Sequence, residues 1–172
     1  TIGRGASGYA FGYDAEGAYS PDGKKIALTL TKDGNSEIYL ISPRKKTRRG
    51  YRIIRRLTRH SGIDTSPTWS PDGEWIAFTD NSWSLYLLNL ESEEVRHVAS
   101  EPMYGPVRTL RPAWSPDEKA IAYIAYKKTD GDVGNSRVFV IASDGTGNKC
   151  VDYRPASYVL WSLDGSMLLL QS

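Results

Sequence analysis

Asp22, Asp72, Asp117 and Asp164 each stand two residues after a serine and four before an apolar residue, namely Ile26, Ile76, Ile121 and Leu168. Four carboxylates at one repeated position, gathered on a ring, could hold a cation or trade protons. Their neighbours favour a plainer role. Ser-Pro-Asp-Gly suits a type I turn, with Pro fixing φ at the second position, Asp tolerating the third and Gly closing the fourth. The aspartates are therefore expected to build turns, and no metal site and no catalytic residue is assigned to them.

The remaining chemical candidates read the same way. Trp69, Trp114 and Trp161 recur just before the turn serine, where they could stack on sugars or bases; their regular place at a strand end predicts packing between repeats instead. His60 and His97 form no HxxxH or HxH pair, and no serine sits in a GxSxG elbow, so neither a metal centre nor a hydrolase nucleophile is expected. Asp130-Gly131-Asp132-Val133-Gly134-Asn135-Ser136 is oxygen-rich like a calcium loop but lacks the closing Glu, and it matches a longer version of the hairpin at Asp33-Gly34-Asn35-Ser36. Cys150 stands alone, which excludes an internal disulfide and a CxxC pair. No cofactor is implied.

One stretch departs from the rest. Arg44, Lys45, Lys46, Arg48, Arg49, Arg52, Arg55, Arg56 and Arg59 put nine basic residues into positions 44–59, where the next repeat carries Glu91-Ser92-Glu93-Glu94. This basic loop is the candidate binding element, with Arg44 through Arg56 as its contacts and an acidic partner as its ligand. The competing reading is a solvated charged face. A net charge of +2 over the whole chain argues against nucleic acid.

The elements that must position these residues follow from the repeats. The turn serines stand at 20, 70, 115 and 162, so the steps are 50, 45 and 47 residues, within the period range of propellers and solenoids. Each turn joins a strand ending in Tyr or Trp to an apolar strand such as Ile26-Ala27-Leu28 or Trp75-Ile76-Ala77-Phe78. A third strand follows (Glu37 to Ile41, Leu85 to Leu90, Val138 to Ile141), then a more polar fourth (Ile53 to Thr58, Val95 to Val98, Lys149 to Val151). Four short antiparallel strands per repeat is the arithmetic of an all-β propeller. A β-sandwich would not explain the returning turn. The expected divisions are an N-terminal Gly and aromatic segment at 1–16, itself one strand through Tyr9, Phe11 and Tyr13, then repeats at 17–62, 63–107, 108–155 and a partial 156–172. That makes about three and a half blades, so further blades or a protein partner are expected to complete the ring.

The Trp-Ser-Pro-Asp-Gly turn followed by Ile-Ala-Phe, a Leu-Tyr strand and an Arg-Arg-Leu-Thr strand resembles the WD40-like repeat of TolB-type propellers, and is similar to the propeller domains of prolyl oligopeptidase-type peptidases. The resemblance covers roughly residues 17–172. Three positions depart from it: Tyr19 replaces Trp, Glu118 replaces the turn Gly, and Leu163 replaces the turn Pro. What the resemblance implies is a non-catalytic protein-interaction module in the periplasm or outside the cell, with a cytoplasmic location left open. The alternative it implies is the propeller portion of a serine peptidase whose catalytic domain lies elsewhere. With 40% hydrophobic and 24% charged residues and no apolar run near 18 residues, the sequence has no membrane-spanning segment.

Overall fold

The computed structural model describes residues 15–31, 34–47, 50–59, 61–82, 84–100, 111–127, 135–152 and 155–171. All regular elements among them are strands. Blade 1 consists of β1 (Ala15–Tyr19), β2 (Ile26–Thr31), β3 (Ser36–Thr47) and β4 (Gly50–Arg56). Blade 2 has β5 (Thr65–Trp69), β6 (Trp75–Thr79), β7 (Ser84–Asn89) and β8 (Val95–Ser100). Blade 3 has β9 (Ala113–Trp114), β10 (Ala120–Lys127), β11 (Asn135–Ala142) and β12 (Lys149–Asp152), and a fourth sheet holds β13 (Tyr158–Trp161) and β14 (Leu168–Gln171). Each sheet runs in sequence order with antiparallel neighbours, so the propeller reading of the repeats holds. The alternating segment around Tyr9 lies outside the described residues.

The middle strands are apolar throughout because both of their faces are covered. On β6, Ile76 and Phe78 face blade 1 and pack with Ala27, Ile38, Leu40 and Leu88, while Ala77 faces the other way with Leu85, Leu87 and blade 3 residues such as Ile121 and Tyr123. Ile76, Ala77 and Phe78 are all fully buried. Period-2 alternation sends successive side chains to opposite faces, and here opposite faces meet different blades. The cores thus lie between blades. β14 alternates half-buried and exposed side chains, with Leu169 standing 55% exposed.

Two departures from plain strands matter for the centre. β1 and β5 carry a bulge at the same place, between Ala15 and Ala18 and between Thr65 and Thr68. Glu16 and Ser66 sit in these bulges at φ of 61° and 55°. The extra residue twists the inner strands and re-aims one side chain from each.

The basic stretch is a hairpin where a loop was expected. β3 continues through Ser42 to Thr47, and after a register shift Lys46 pairs with Tyr51 and Thr47 with Gly50. The reason is the outer edge itself: long cationic side chains tolerate an edge strand and discourage pairing with other chains.

Candidate functional site

The turn serine is the node of each blade. Ser70 is fully buried; its Oγ donates to Asp72 Oδ1 at 2.5 Å and accepts from the Trp75 N–H at 2.9 Å. Asp72 Oδ1 in turn accepts from the Glu74 N–H at 2.9 Å. The same pair forms at Ser20 and Asp22 (2.7 Å), Ser115 and Asp117 (2.7 Å), and Ser162 and Asp164 (2.6 Å). These bonds favour the ionised carboxylates. The Ser20 hydroxyl and Lys24 N–H hold Asp22 at about 2, and the Ser162 hydroxyl with the Ser166 N–H and hydroxyl hold Asp164 at about 2. All four aspartates are therefore turn ligands for their own backbone.

Neighbouring turns overlap in one direction. A Cβ placed on Gly73 would stand 3.6 Å from Pro21 Cδ, and one on Gly165 3.5 Å from Pro116 Cδ, so the glycine of one turn rests on the proline of the turn before it. These glycines hold φ of 76° and 70°, the left-handed region in which the residue is at ease. The tryptophans fasten the same seams. Trp69 Nε1 donates to Ala18 O at 2.9 Å, and Trp161 Nε1 donates to Ala113 O at 3.0 Å. Their predicted role as packing residues is thus extended by a hydrogen bond that spacing alone did not indicate.

The inner strands β1, β5, β9 and β13 meet around a central cavity of about 370 Å³, walled by residues including Tyr19, Trp69, Trp114, Trp161 and Arg111. Three residues before each Tyr or Trp stand Glu16, Ser66, Arg111 and Tyr158. Glu16 Oε2 accepts from the Ser66 N–H at 2.8 Å and from its hydroxyl at 2.7 Å, joining blades 1 and 2. Arg111 Nη2 reaches from blade 3 to Gly17 O in blade 1 at 2.9 Å. Sequence reading passed over Glu16, Ser66 and Arg111; their shared offset from the turn serine was the signal that marks them.

The predicted basic contacts divide into two sets. Arg44 and Arg52 are exposed on the outer hairpin, with the β3 backbone of Lys45 and Lys46 beside them; Arg48 and Arg49 lie outside the described residues. Arg55 and Arg56 are engaged. Arg55 donates to Glu93 Oε1 at 3.0 Å and to Leu90 O at 2.8 Å in blade 2, whereas Arg56 pairs at 2.8 Å with the fully buried Glu37, which also accepts from Thr58 Oγ1 at 2.5 Å. His97 Nε2 shares a 2.6 Å hydrogen bond with Ser100 Oγ, and its ring meets Tyr86 edge-on; His60 and the oxygen-rich stretch at 130–134 lie outside the described residues. Among the described residues no group of three or more His, Cys, Asp or Glu is placed to hold a metal ion, and no helix is long and apolar enough to cross a membrane.

Radial blades, seam-bonded tryptophans and overlapping Ser-Pro-Asp-Gly turns define a β-propeller of the WD40-like class. The chain belongs to the TolB beta propeller domain family (PD40), whose pattern matches residues 4–128. It is 31% identical over 125 residues to the Tol-Pal system protein TolB of Desulfosudis oleivorans, covering 71% of this chain and 25% of that protein. A TolB homolog of Chlorobium luteolum is 32% identical over 75 residues, 42% of this chain and 16% of its own length. The chain thus spans a quarter or less of these relatives. Among solved structures, TolB from Acinetobacter baumannii superposes with a TM-score of 0.67 at 20% identity, over 92% of this chain and 37% of that one. Dipeptidyl peptidase 4 of Porphyromonas gingivalis gives a TM-score of 0.62 at 13% identity, covering 96% of this chain and 30% of the peptidase, which is a likeness of fold alone.

Proposed function

We propose that the chain is propeller from a non-catalytic, TolB-type platform for protein interaction, working outside the cytoplasm in the periplasm or beyond the cell. One observation carries this reading: the polar side chains that recur in every repeat are spent on the frame. Each turn serine and aspartate closes its own hairpin, and the Trp69 and Trp161 indoles bind blade to blade. Such a frame is rigid and presents turns and outer hairpins to solvent, which suits holding a second protein. The Desulfosudis relative is named for a Tol-Pal system, which favours an assembly over a substrate.

The partner surface we assign is the β3–β4 hairpin, with Arg44, Lys45, Lys46, Arg48, Arg49 and Arg52 as contacts for an acidic segment, while Arg55 and Arg56 anchor the strand. The test takes the intact protein with its native partner and replaces Arg44, Lys45, Lys46, Arg48 and Arg49 by Ser. Affinity should fall in the variant. In the parent it should fall steeply from about 0.1 M to about 1 M salt, as the screening length shrinks from about 10 Å to about 3 Å. Unchanged binding in the variant refutes the hairpin as the contact. Turnover of a peptide or ester substrate, abolished by substituting one serine of this chain, refutes the non-catalytic role.

A further inference from the structure

The seam between blades 2 and 3 breaks the rule that the other two described seams obey. Between blades 1 and 2, Trp69 reaches Ala18 O and Gly73 rests on Pro21; between blades 3 and 4, Trp161 reaches Ala113 O and Gly165 rests on Pro116. At the middle seam Trp114 Nε1 is buried with no hydrogen-bond partner. The place that holds glycine in the other turns carries Glu118, forced to a φ of 64°. A non-glycine residue there is strained by its own Cβ. A cavity of about 260 Å³ opens beside it, walled by Trp75, Trp114, Asp72, Glu118, Arg96 and Asp144.

From facing turns Asp72 and Glu118 wall the same cavity, and their carboxyls influence each other across the seam. Two carboxylates so placed repel unless one proton lies between them. The surrounding charges do not relieve this. Glu74, next along the blade 2 turn, adds to the negative charge on the pair. Arg96 on β8 lines the cavity, but its guanidinium is gripped by Glu94 at 2.7 and 3.0 Å and lies 4.8 Å over the Trp75 ring. From blade 3, Asp144 is bound by the Thr146 N–H and hydroxyl, and Lys119 is turned to Asp117 at 3.6 Å.

We propose that the seam between blades 2 and 3 is a proton-gated joint, closed while Asp72 and Glu118 share one proton and loosened when that proton passes to solvent. The direction follows from the two groups. Desolvation, then the charges of Asp72 and Glu74, push Glu118 above its ordinary 4.5. The folded joint keeps a proton that the open form gives up near 4.5, so Glu118 holds the seam fully below that pH and less as pH climbs through its raised value. Asp72 is pulled upward by desolvation, yet the Glu74 N–H, Ser70 and Glu118 outweigh that and hold it below 3.8. Its contribution is present above 3.8 and lost as pH falls through its lowered value. The joint is therefore tightest in mild acid and loosens toward neutrality.

Hydrogen exchange of the Trp114 indole N–H in the intact protein reads the joint directly, with the Trp69 indole as internal reference. Between about pH 4.5 and 7.5 the Trp114 protection factor should fall as the pH rises, while Trp69 stays level. Glu118→Gln keeps the strained turn but cannot ionise, and should hold Trp114 protection constant across that range. Glu118→Gly restores the residue of the sister turns and should also be constant, with higher protection throughout. A Trp114 profile that parallels Trp69, or a Glu118→Gln variant that keeps the parent's fall, overturns the proposal.

Discussion

Phenylalanine in place of Trp69 or Trp114 separates the seam hydrogen bond from the bulk of the ring. Both substitutions remove the same part of an indole at equivalent positions, so the cavity cost is common to both and drops out of the comparison. Trp69→Phe also loses the 2.9 Å bond to Ala18 O, worth about 0.5–1.5 kcal/mol net. Trp114→Phe loses no bond, because its Nε1 is buried without an acceptor, and it removes an unsatisfied donor whose burial costs about 1–3 kcal/mol. Trp69→Phe should therefore be the more destabilising change by about 2 kcal/mol or more. Calorimetry should show it, since a folding unit of about 150–250 residues moves by about 2–4 °C per kcal/mol. Trp161→Phe, which breaks the 3.0 Å bond to Ala113 O, should group with Trp69→Phe. Equal losses at Trp69 and Trp114, or a larger loss at Trp114, would refute the reading of the tryptophans as directional seam bonds.

Ser70→Ala removes a fully buried hydroxyl that serves Asp72 and the Trp75 N–H, and should cost about 1–3 kcal/mol in urea unfolding, whereas Ser162→Ala at the exposed end should cost less. Arg56→Met leaves the buried Glu37 carboxylate with Thr58 and should destabilise by about 3–5 kcal/mol; Arg56→Met combined with Glu37→Gln should recover much of that loss. Asp22 and Asp164, both held at about 2 against an ordinary 3.8, support the fold above 3.8 and lose that support as pH falls through about 2. Acid melting of Asp164→Asn should accordingly be flatter than the parent's over that interval, and an identical acid limb would contradict the turn assignment.

The turns were legible because their chemistry is local. Ser, Pro, Asp and Gly each fix a dihedral or a hydrogen bond within four residues, so Ser70 to Gly73 announces its hairpin without any distant contact. The two-faced burial of Ile76, Ala77 and Phe78 was legible for a related reason, since a strand covered on both faces reads as a continuous apolar run. What crosses between blades did not show. Glu16 finds Ser66 fifty residues on, and Arg55 finds Glu93 and Leu90 O, through the radial placement of blades, which composition does not encode. The basic stretch misled as a loop because its charges hide the pairing of Lys46 with Tyr51, which the backbone alone specifies. Glu118 was visible as a departure from the motif, but its meaning needed Asp72 on the facing turn.

The seam bonds also give the blade array a sense of travel. At the Trp69 and Trp161 seams the later blade donates an indole N–H to a carbonyl of the blade before it, so the joint is head-to-tail and its two sides are never alike. Contacts of that kind do not pair two copies face to face; they extend a series, which ends when it curves back on itself or runs on. Blade 1 breaks the series at the chemical level. Its Tyr19, 62% exposed, offers a phenol in place of the indole, so a blade standing ahead of it cannot be fastened by the bond used elsewhere. In a ring containing this chain, the seam ahead of blade 1 therefore differs in make from those fastened by Trp69 and Trp161, as the seam at Trp114 already does.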